Sequence, residues 1–177
     1  MKTEQKTTTR TIRLPSTIDS ILQKDAKEKR TTVNSIIATA LTKYTEWDRY
    51  AESIGFISLQ RNEFKLIIDS LDDEEIEKIA KETGSRIAKE LMMFIFKKVT
   101  LDAFLSMTSL WFRYSGHGTA EIETNERYYT IVIRHELGRK WSTYVAHFAS
   151  QALKSTLGVV PKINITEYSV MLEFFIP

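Results

Sequence analysis

A short run of alternating side chains near the N-terminus constrains this chain more than any other feature. Residues 9–14 read TRTIRL, which alternates polar and apolar side chains, and Pro15 ends the run. Alternation with a period of two is typical of a β-strand, here with Ile12 and Leu14 on one face. A single short strand leaves its backbone groups unpaired, so it needs a neighbour. Because helical periodicity follows at once, the sequence predicts pairing with the same strand of a second subunit.

Two helices are predicted directly after this strand. Ser16 is a good N-cap, and apolar side chains then recur at three- and four-residue spacing, which predicts a helix over residues 17–28. A polar turn follows, in which Thr32 supplies the next N-cap. A second, longer helix carries apolar positions as far as Ala51, and we expect Gly55 to end it.

This order of strand, helix, polar turn and helix resembles the CopG/Arc/MetJ ribbon-helix-helix family of DNA-binding proteins. Residues 10–44, RTIRLPSTIDSILQKDAKEKRTTVNSIIATALTKY, match in the strand ending R-L-P, the capped first helix, the Ser/Thr-type turn and the apolar second helix. The resemblance covers only the N-terminal part of the chain. It implies an intertwined dimer, in which each subunit gives one strand to an antiparallel ribbon that enters the DNA major groove.

The resemblance also implies which residues contact DNA. The outward-facing Thr9, Thr11 and Arg13 would approach base edges, and Arg13 can bond guanine O6 and N7 in a bidentate manner. The N-terminus of the second helix would hold a phosphate through free backbone N–H groups and the helix dipole. The residues implied at phosphates are Arg10, Lys29, Arg30, Thr32, Val33 and Asn34.

The distribution of charge agrees with a DNA-facing N-terminus. The net charge is only +2, but the first fifty residues hold ten Lys/Arg against six Asp/Glu, whereas the next fifty hold eight against ten. The positive excess therefore lies where a phosphate-facing surface needs it. The residues also allow a second interpretation. In it, Arg13 and the threonines form the solvent face of an ordinary edge strand, and Lys29 and Arg30 only neutralise a helix end.

The rest of the sequence predicts a second domain. After a ribbon-helix-helix domain of residues 1–55, the pattern over 56–177 changes from helical to strand-like. Residues 56–59 fit a short strand or a connector. Helices are predicted over 63–71, 72–84, 85–99, 101–114 and 141–157, and strands over 119–124, 128–135, 162–166 and 170–176. The predicted fold is therefore α+β: an N-terminal ribbon-helix-helix, then helices, then a C-terminal β-β-α-β-β block with a mainly antiparallel sheet.

Several classes of site are not predicted. No cysteine is present, which removes disulfides, thiolate metal sites and cysteine nucleophiles. The three histidines, His117, His135 and His147, are far apart in sequence, so we predict no metal site. There is no Gly-rich phosphate loop, GxSxG or HExxH motif, so we predict neither an enzyme nor a cofactor. The segments RHE (134–136) and RK (139–140) could form a catalytic or phosphate-binding cluster, but only their adjacency in the sequence suggests it.

The sequence therefore predicts a sequence-specific regulator of transcription, a repressor, that binds double-stranded DNA as a homodimer or dimer of dimers. No apolar run approaches the ~20 residues of a membrane span and no signal peptide is visible, so we expect a cytoplasmic protein without a membrane partner. The C-terminal domain would sense a small effector or mediate oligomerisation. Its many aromatic residues fit either a pocket for a small apolar ligand or an ordinary core. The alternative is a protein-interaction or dimerisation module, such as an antitoxin-like protein, in which DNA binding is secondary.

Overall fold

The computed structural model describes residues 7–177, and the chain divides into two compact units. The N-terminal unit ends at Asp48, and the C-terminal unit comprises Arg49–Pro177. In the N-terminal unit, residues 7–15 have no regular secondary structure. They are followed by α1 (Ser16–Glu28), α2 (Val33–Lys43) and a π-helical segment (Tyr44–Asp48).

The predicted N-terminal strand is not formed. Residues 7–15 are exposed and pair with no other segment, and the four described β-strands all belong to the C-terminal unit. Alternating side chains do not hold a strand by themselves, because an extended segment without a neighbour leaves its N–H and C=O groups to water. The prediction of an N-terminal ribbon-helix-helix fold with an intertwined ribbon is therefore wrong, although both of its helices are present.

The two N-terminal helices begin differently. Pro15, rather than the expected Ser16, occupies the N-cap of α1 and gives no side-chain cap. Thr32 caps α2 as predicted, since its Oγ1 accepts a hydrogen bond from the Ser35 N–H at 3.1 Å. The predicted long second helix changes its hydrogen-bond pattern partway. After α2 ends at Lys43, five π-helical residues follow, and an α-helix then runs over Arg49–Ile54 and ends before Gly55 as predicted.

The C-terminal unit begins with four helices and continues with the predicted β-β-α-β-β block. Residues 56–59 are a connector rather than a strand. The elements are α3 (Arg49–Ile54), α4 (Arg61–Ser70), α5 (Asp73–Phe96), α6 (Leu101–Tyr114), β1 (Thr119–Asn125), β2 (Tyr128–Arg134), α7 (Arg139–Leu157), β3 (Lys162–Ile165) and β4 (Ser169–Phe175). The α+β class and the antiparallel sheet of this half are confirmed.

The four strands form one antiparallel sheet in the order β1-β2-β4-β3. Buried and less buried side chains alternate along β4 and over the second half of β2, which is the period-two pattern of the sequence. Ile131 of β2 lies opposite Leu172 of β4, and both are almost completely buried. Burying each such side chain contributes about 1.5–3 kcal/mol, so these central pairs fix which face of the sheet meets the core.

The acidic run at residues 72–75 begins α5, as its position before an apolar repeat predicts. Asp72 Oδ1 accepts a hydrogen bond from the Glu75 N–H at 2.8 Å, and Glu75 Oε2 accepts one from the Asp72 N–H at 2.9 Å. This reciprocal pair is a capping box, and the carboxylates also suit the positive end of the helix dipole. The acidic cluster therefore has a local structural role.

Gly84 does not end a helix, as its sequence position suggested, but lies within the single 24-residue helix α5. A Cβ atom placed on Gly84 would lie 2.5 Å from the backbone oxygen of Phe148 in α7. Real Cβ atoms do not approach a carbonyl oxygen so closely. The glycine is therefore needed because α5 and α7 come into backbone contact here, and the predicted break between two helices is wrong.

The substitution Gly84→Ala should destabilise the protein. Alanine favours a helix over glycine by about 1 kcal/mol, but overpacking a tight contact costs about 1–3 kcal/mol, and the blocking atom belongs to rigid backbone. We expect a lower free energy of unfolding in urea titration followed by circular dichroism. Glu82→Ala, at an exposed position of the same helix, is the control and should have little effect. Equal or greater stability of Gly84→Ala would contradict the close approach.

Candidate nucleic-acid interface

Four of the residues implied at DNA lie in the segment before α1, here called the arm (residues 7–15). Thr9, Arg10, Thr11 and Arg13 are all exposed, and neither arginine forms an ion pair within the described part of the chain. Their guanidinium groups are therefore available to an external anion. Because the arm is not a strand, Thr9, Thr11 and Arg13 do not share one strand face as the sequence predicted.

The remaining implied residues lie together in the connection between α1 and α2. Lys29 is the C-cap of α1, and Arg30 has a left-handed backbone with φ of 51°. The Thr31 N–H donates to the Ala26 carbonyl at 2.9 Å, and the Arg30 N–H donates to the Lys27 carbonyl at 3.3 Å. This is a Schellman ending, in which glycine is the usual left-handed residue. An arginine there costs conformational energy that a glycine would not.

The start of α2 offers unsatisfied donors. The Ser35 N–H is taken by the Thr32 side chain, but the N–H groups of Val33 and Asn34 have no acceptor among residues 7–177. Thr32 and Asn34 are exposed, and the first turn of α2 contains no acidic residue. A helix start with free N–H groups and no carboxylate favours an anion.

The cations before this helix start are only partly paired. Lys29 Nζ lies 3.3 Å from Asp25 Oδ2, and both side chains are well exposed. Lys27 and Arg30 form no ion pair with any described residue. An exposed pair of this kind contributes little stability, so Lys29 can exchange its partner for a phosphate at small cost.

The structure thus joins some of the implied residues and separates others. Residues 29–34 form one surface at the α1–α2 connection, which combines three features: a basic turn, a capped helix start and free N–H groups. No hydrogen bond or ion pair connects this surface with Arg10 or Arg13 in the arm, as far as the structure describes them. The two groups are separate candidate contacts with DNA.

The N-terminal unit also exposes much of its apolar surface. Within α1, α2 and the π-helical segment only Ala26 and Trp47 are buried. Large apolar side chains of this unit that are at least 36% exposed are Ile12, Leu14, Ile18, Ile21, Leu41 and Tyr44. The resemblance implied an intertwined dimer, and in the single chain these six side chains are exposed. An apolar surface of this extent is typical of an interaction site.

In the C-terminal unit, the segment RHE (134–136), which adjacency alone had singled out, lies beside the loop at residues 116–118. The loop at residues 116–118 and the end of β2 at 134–136 line one polar cleft of about 620 Å³. They approach so closely that a Cβ on Gly118 would lie 2.3 Å from the Arg134 carbonyl oxygen. Both arginines of the cleft are paired, Arg61 with Glu136 and Arg134 with Glu121. The cleft therefore has little spare positive charge.

His135, at the end of β2, belongs to a buried hydrogen-bond chain. Its Nδ1 accepts from the Leu137 N–H at 3.3 Å, and its Nε2 lies 2.8 Å from Ser142 Oγ. Ser142 Oγ in turn donates to the Glu167 carbonyl at 3.3 Å. A Ser–His contact can suggest a nucleophile, but Ser142 has no exposed surface and so cannot reach a substrate. The chain instead ties β2 and α7 to the turn between β3 and β4.

The basic pair at 139–140 is likewise used within the fold. Arg139 Nη1 donates to the Ile165 carbonyl at 3.0 Å. Lys140 Nζ donates to the carbonyls of Asp69, at 2.8 Å, and Leu71, so it satisfies the end of α4. No local pattern in the sequence indicates these long-range contacts. This pair therefore holds α4 and β3 against α7 rather than a phosphate.

Residues 7–177 contain neither a metal-binding cluster nor a helix that could span a membrane. No group of three or more His, Asp or Glu side chains is arranged to hold a metal ion in this part of the chain. Likewise, none of the helices within it has the length and apolar character needed to cross a bilayer.

Comparisons with known proteins add no family. No protein-family model matches the sequence. No curated protein is significantly similar to it.

The pKa of His135 should make stability depend on pH. Burial lowers this pKa below its usual value of about 6.5, so the unfolded chain binds a proton more readily than the folded one. The stabilising contribution is complete above about pH 6.5 and is lost as the pH falls toward the folded-state pKa. Between about pH 7.5 and about pH 5.5, urea unfolding should show a larger loss of free energy for wild type than for His135→Gln. Equal losses would contradict the assignment.

Proposed function

We propose that the protein is a dimeric, sequence-specific DNA-binding regulator of transcription. The N-terminal unit contacts DNA and the second subunit, and the C-terminal unit serves effector sensing or oligomerisation. One observation carries the proposal. Lys27 and Arg30, which form no ion pair with a described residue, lie shortly before a helix start at which the N–H groups of Val33 and Asn34 are free. Such a role also places the protein in the cytoplasm of a prokaryotic-type cell.

The chemistry of this surface suits a DNA phosphate. The two free N–H groups of α2 can both donate to phosphate oxygens, while the helix dipole adds positive potential at the same point. Lys27, Lys29 and Arg30 precede this helix start in sequence and add positive charge, which releases counterions when DNA binds. Contacts of this kind fix the position of a protein on the duplex and carry no base preference.

Base preference must then come from another part of the unit, and the arm is the best candidate. Arg10 and Arg13 are exposed and unpaired within the described chain, and they lie on a segment without regular secondary structure. Extended basic arms of other DNA-binding proteins use arginine in this way in the minor groove. In this mode of binding, DNA is contacted by Thr9, Arg10, Thr11 and Arg13, although these residues do not lie on a ribbon.

A second copy of this chain is the occupant that we propose for the exposed apolar surface of the N-terminal unit. A unit with so few buried side chains has little core of its own, and small domains are the hardest to stabilise alone. Most soluble oligomers are symmetric homodimers, in which one self-complementary patch covers the same patch of its partner. A dimer would also present two copies of the basic surface to the two halves of a palindromic site.

The alternative is a protein-interaction module, antitoxin-like, in which DNA binding is secondary. The same exposed side chains, Ile21 and Leu41 among them, favour it, because they fit a partner protein as well as a second copy. The two proposals differ in what the basic surface does. Only the regulator requires a selected DNA consensus and strong salt dependence.

Selection of binding sites from random double-stranded DNA with the full-length protein tests the regulator directly. We expect a palindromic consensus, with affinity that falls steeply as salt rises. Arg13→Ala should weaken specific binding by about 1–3 kcal/mol and relax base preference, as measured by fluorescence anisotropy. Recovery of no consensus, together with weak salt dependence, would refute DNA binding. If Arg13→Ala leaves both affinity and base preference unchanged, the role of the arm in base preference is refuted, but DNA binding by the protein is not.

The substitution Arg30→Gly separates the contribution of the Arg30 charge to DNA binding from its effect on the stability of the fold. Glycine relieves the left-handed backbone, so thermal stability should be equal or higher, whereas the lost cation should weaken DNA binding and reduce the salt slope by about 1. Lys97→Gly is a matched control, since Lys97 has φ of 57° at the end of α5 in the C-terminal unit. It should leave DNA affinity unchanged. Equal DNA affinity for Arg30→Gly and wild type would exclude Arg30 from the interface.

A further inference from the structure

The C-terminal unit contains an apolar cavity of about 140 Å³ between α5, α6, α7 and the central strands β2 and β4. Every residue that lines the cavity belongs to this unit, so the cavity is formed without the N-terminal unit. Side chains from every surrounding element form its wall, among them Leu91, Met107, Trp111, Ile131, Trp141 and Leu172.

The wall of the cavity is uncharged. Its lining includes no Asp, Glu, Lys, Arg or His. Tyr144 contributes a hydroxyl that lies 3.1 Å from Thr83 Oγ1, and burial raises the pKa of this phenol, which therefore stays neutral. Thr108 contributes a hydroxyl that donates to the Phe104 carbonyl at 2.9 Å. A charged ligand would find no counter-charge here, so the cavity selects a neutral molecule.

Trp141, which lines the cavity, carries an unsatisfied donor. Trp141 is only 4% exposed, and its Nε1–H has no hydrogen-bond partner in the structure. The neighbouring ring of His117, whose centroid lies 5.2 Å from that of Trp141, has an equally unpartnered Nδ1. A buried donor without an acceptor is unfavourable, and such groups are rare in folded proteins. The Trp141 N–H is therefore a buried donor that lacks an acceptor.

We propose that this cavity binds a small, uncharged, mainly apolar molecule of about one ring, which accepts a hydrogen bond from Trp141 Nε1. Size sets the first limit: an engineered cavity of about 150 Å³ in another protein binds benzene, whereas pockets for drug-sized ligands measure about 300–1,000 Å³. The rings of Trp111 and Trp141 favour an aromatic ligand, because aromatic rings attract one another in stacked and edge-on arrangements.

Two ring-sized probes test the two parts of this proposal: benzene tests the cavity, and pyridine, of the same shape with one acceptor nitrogen, tests the donor. Pyridine is uncharged at mildly alkaline pH. Two-dimensional ¹H–¹⁵N spectra of the full-length protein resolve the indole N–H groups of its three tryptophans. We expect saturable shifts of cavity residues with benzene, and NOEs from benzene protons to the methyl groups of Ile131 and Leu172. Pyridine should also move the Trp141 indole proton downfield.

A cavity-filling variant provides the control. Ala149 lines the cavity and is buried, so Ala149→Leu should reduce benzene affinity at least tenfold, whereas Ser155→Leu, at an exposed position of α7, should leave it unchanged. If Ala149→Leu does not fold, the NOEs in wild-type protein decide the location without it. Absence of saturable benzene shifts, or NOEs only to residues outside the cavity, would overturn the site. Benzene binding with no pyridine-induced shift of the Trp141 N–H would overturn the donor assignment.

Discussion

Helices α5 and α7 meet at Gly84, and much of the C-terminal unit depends on this contact. With no side chain at Gly84, the backbone of α5 comes against that of α7 at Phe148, so α7 is held between α5 and the sheet. The same arrangement places Trp141, Tyr144 and Phe148 along the wall of the apolar cavity. Because the interiors of proteins transmit small displacements, a larger residue at this one position would alter the helix pair and the cavity together.

The fold could be predicted from sequence wherever a local pattern matched its final environment. The alternation in β2 and β4 predicted strands because Ile131 and Leu172 really do face a core. The arm has the same alternation, but within the described chain Ile12 and Leu14 meet no core and the backbone meets no partner strand. Period-two patterning thus predicts which side chains could share a face, and a neighbour decides whether a strand forms.

Features of the candidate sites that depend on local contacts could be predicted from the sequence, whereas those that depend on distant contacts could not. Thr32 was recognisable as an N-cap because capping involves residues only three apart, and the surface at residues 29–34 is contiguous in sequence. The chain from His135 through Ser142 to the Glu167 carbonyl joins segments that only the folded sheet brings together. For Gly84, residue type alone could not distinguish a helix end from a close helix–helix contact, because both require the absence of a Cβ atom.

The exposed apolar surface of the N-terminal unit has a consequence for how the proposed regulator would respond to its own abundance. If a second copy covers Ile18, Ile21 and Leu41, then folding of this unit and dimer assembly are linked by mass action. Each unit would become more stable as the total concentration of the protein rises. Occupancy of a palindromic site would then grow more steeply than in proportion to that concentration, since two chains must assemble on each site. The small core of the N-terminal unit would in this way set a threshold concentration for binding.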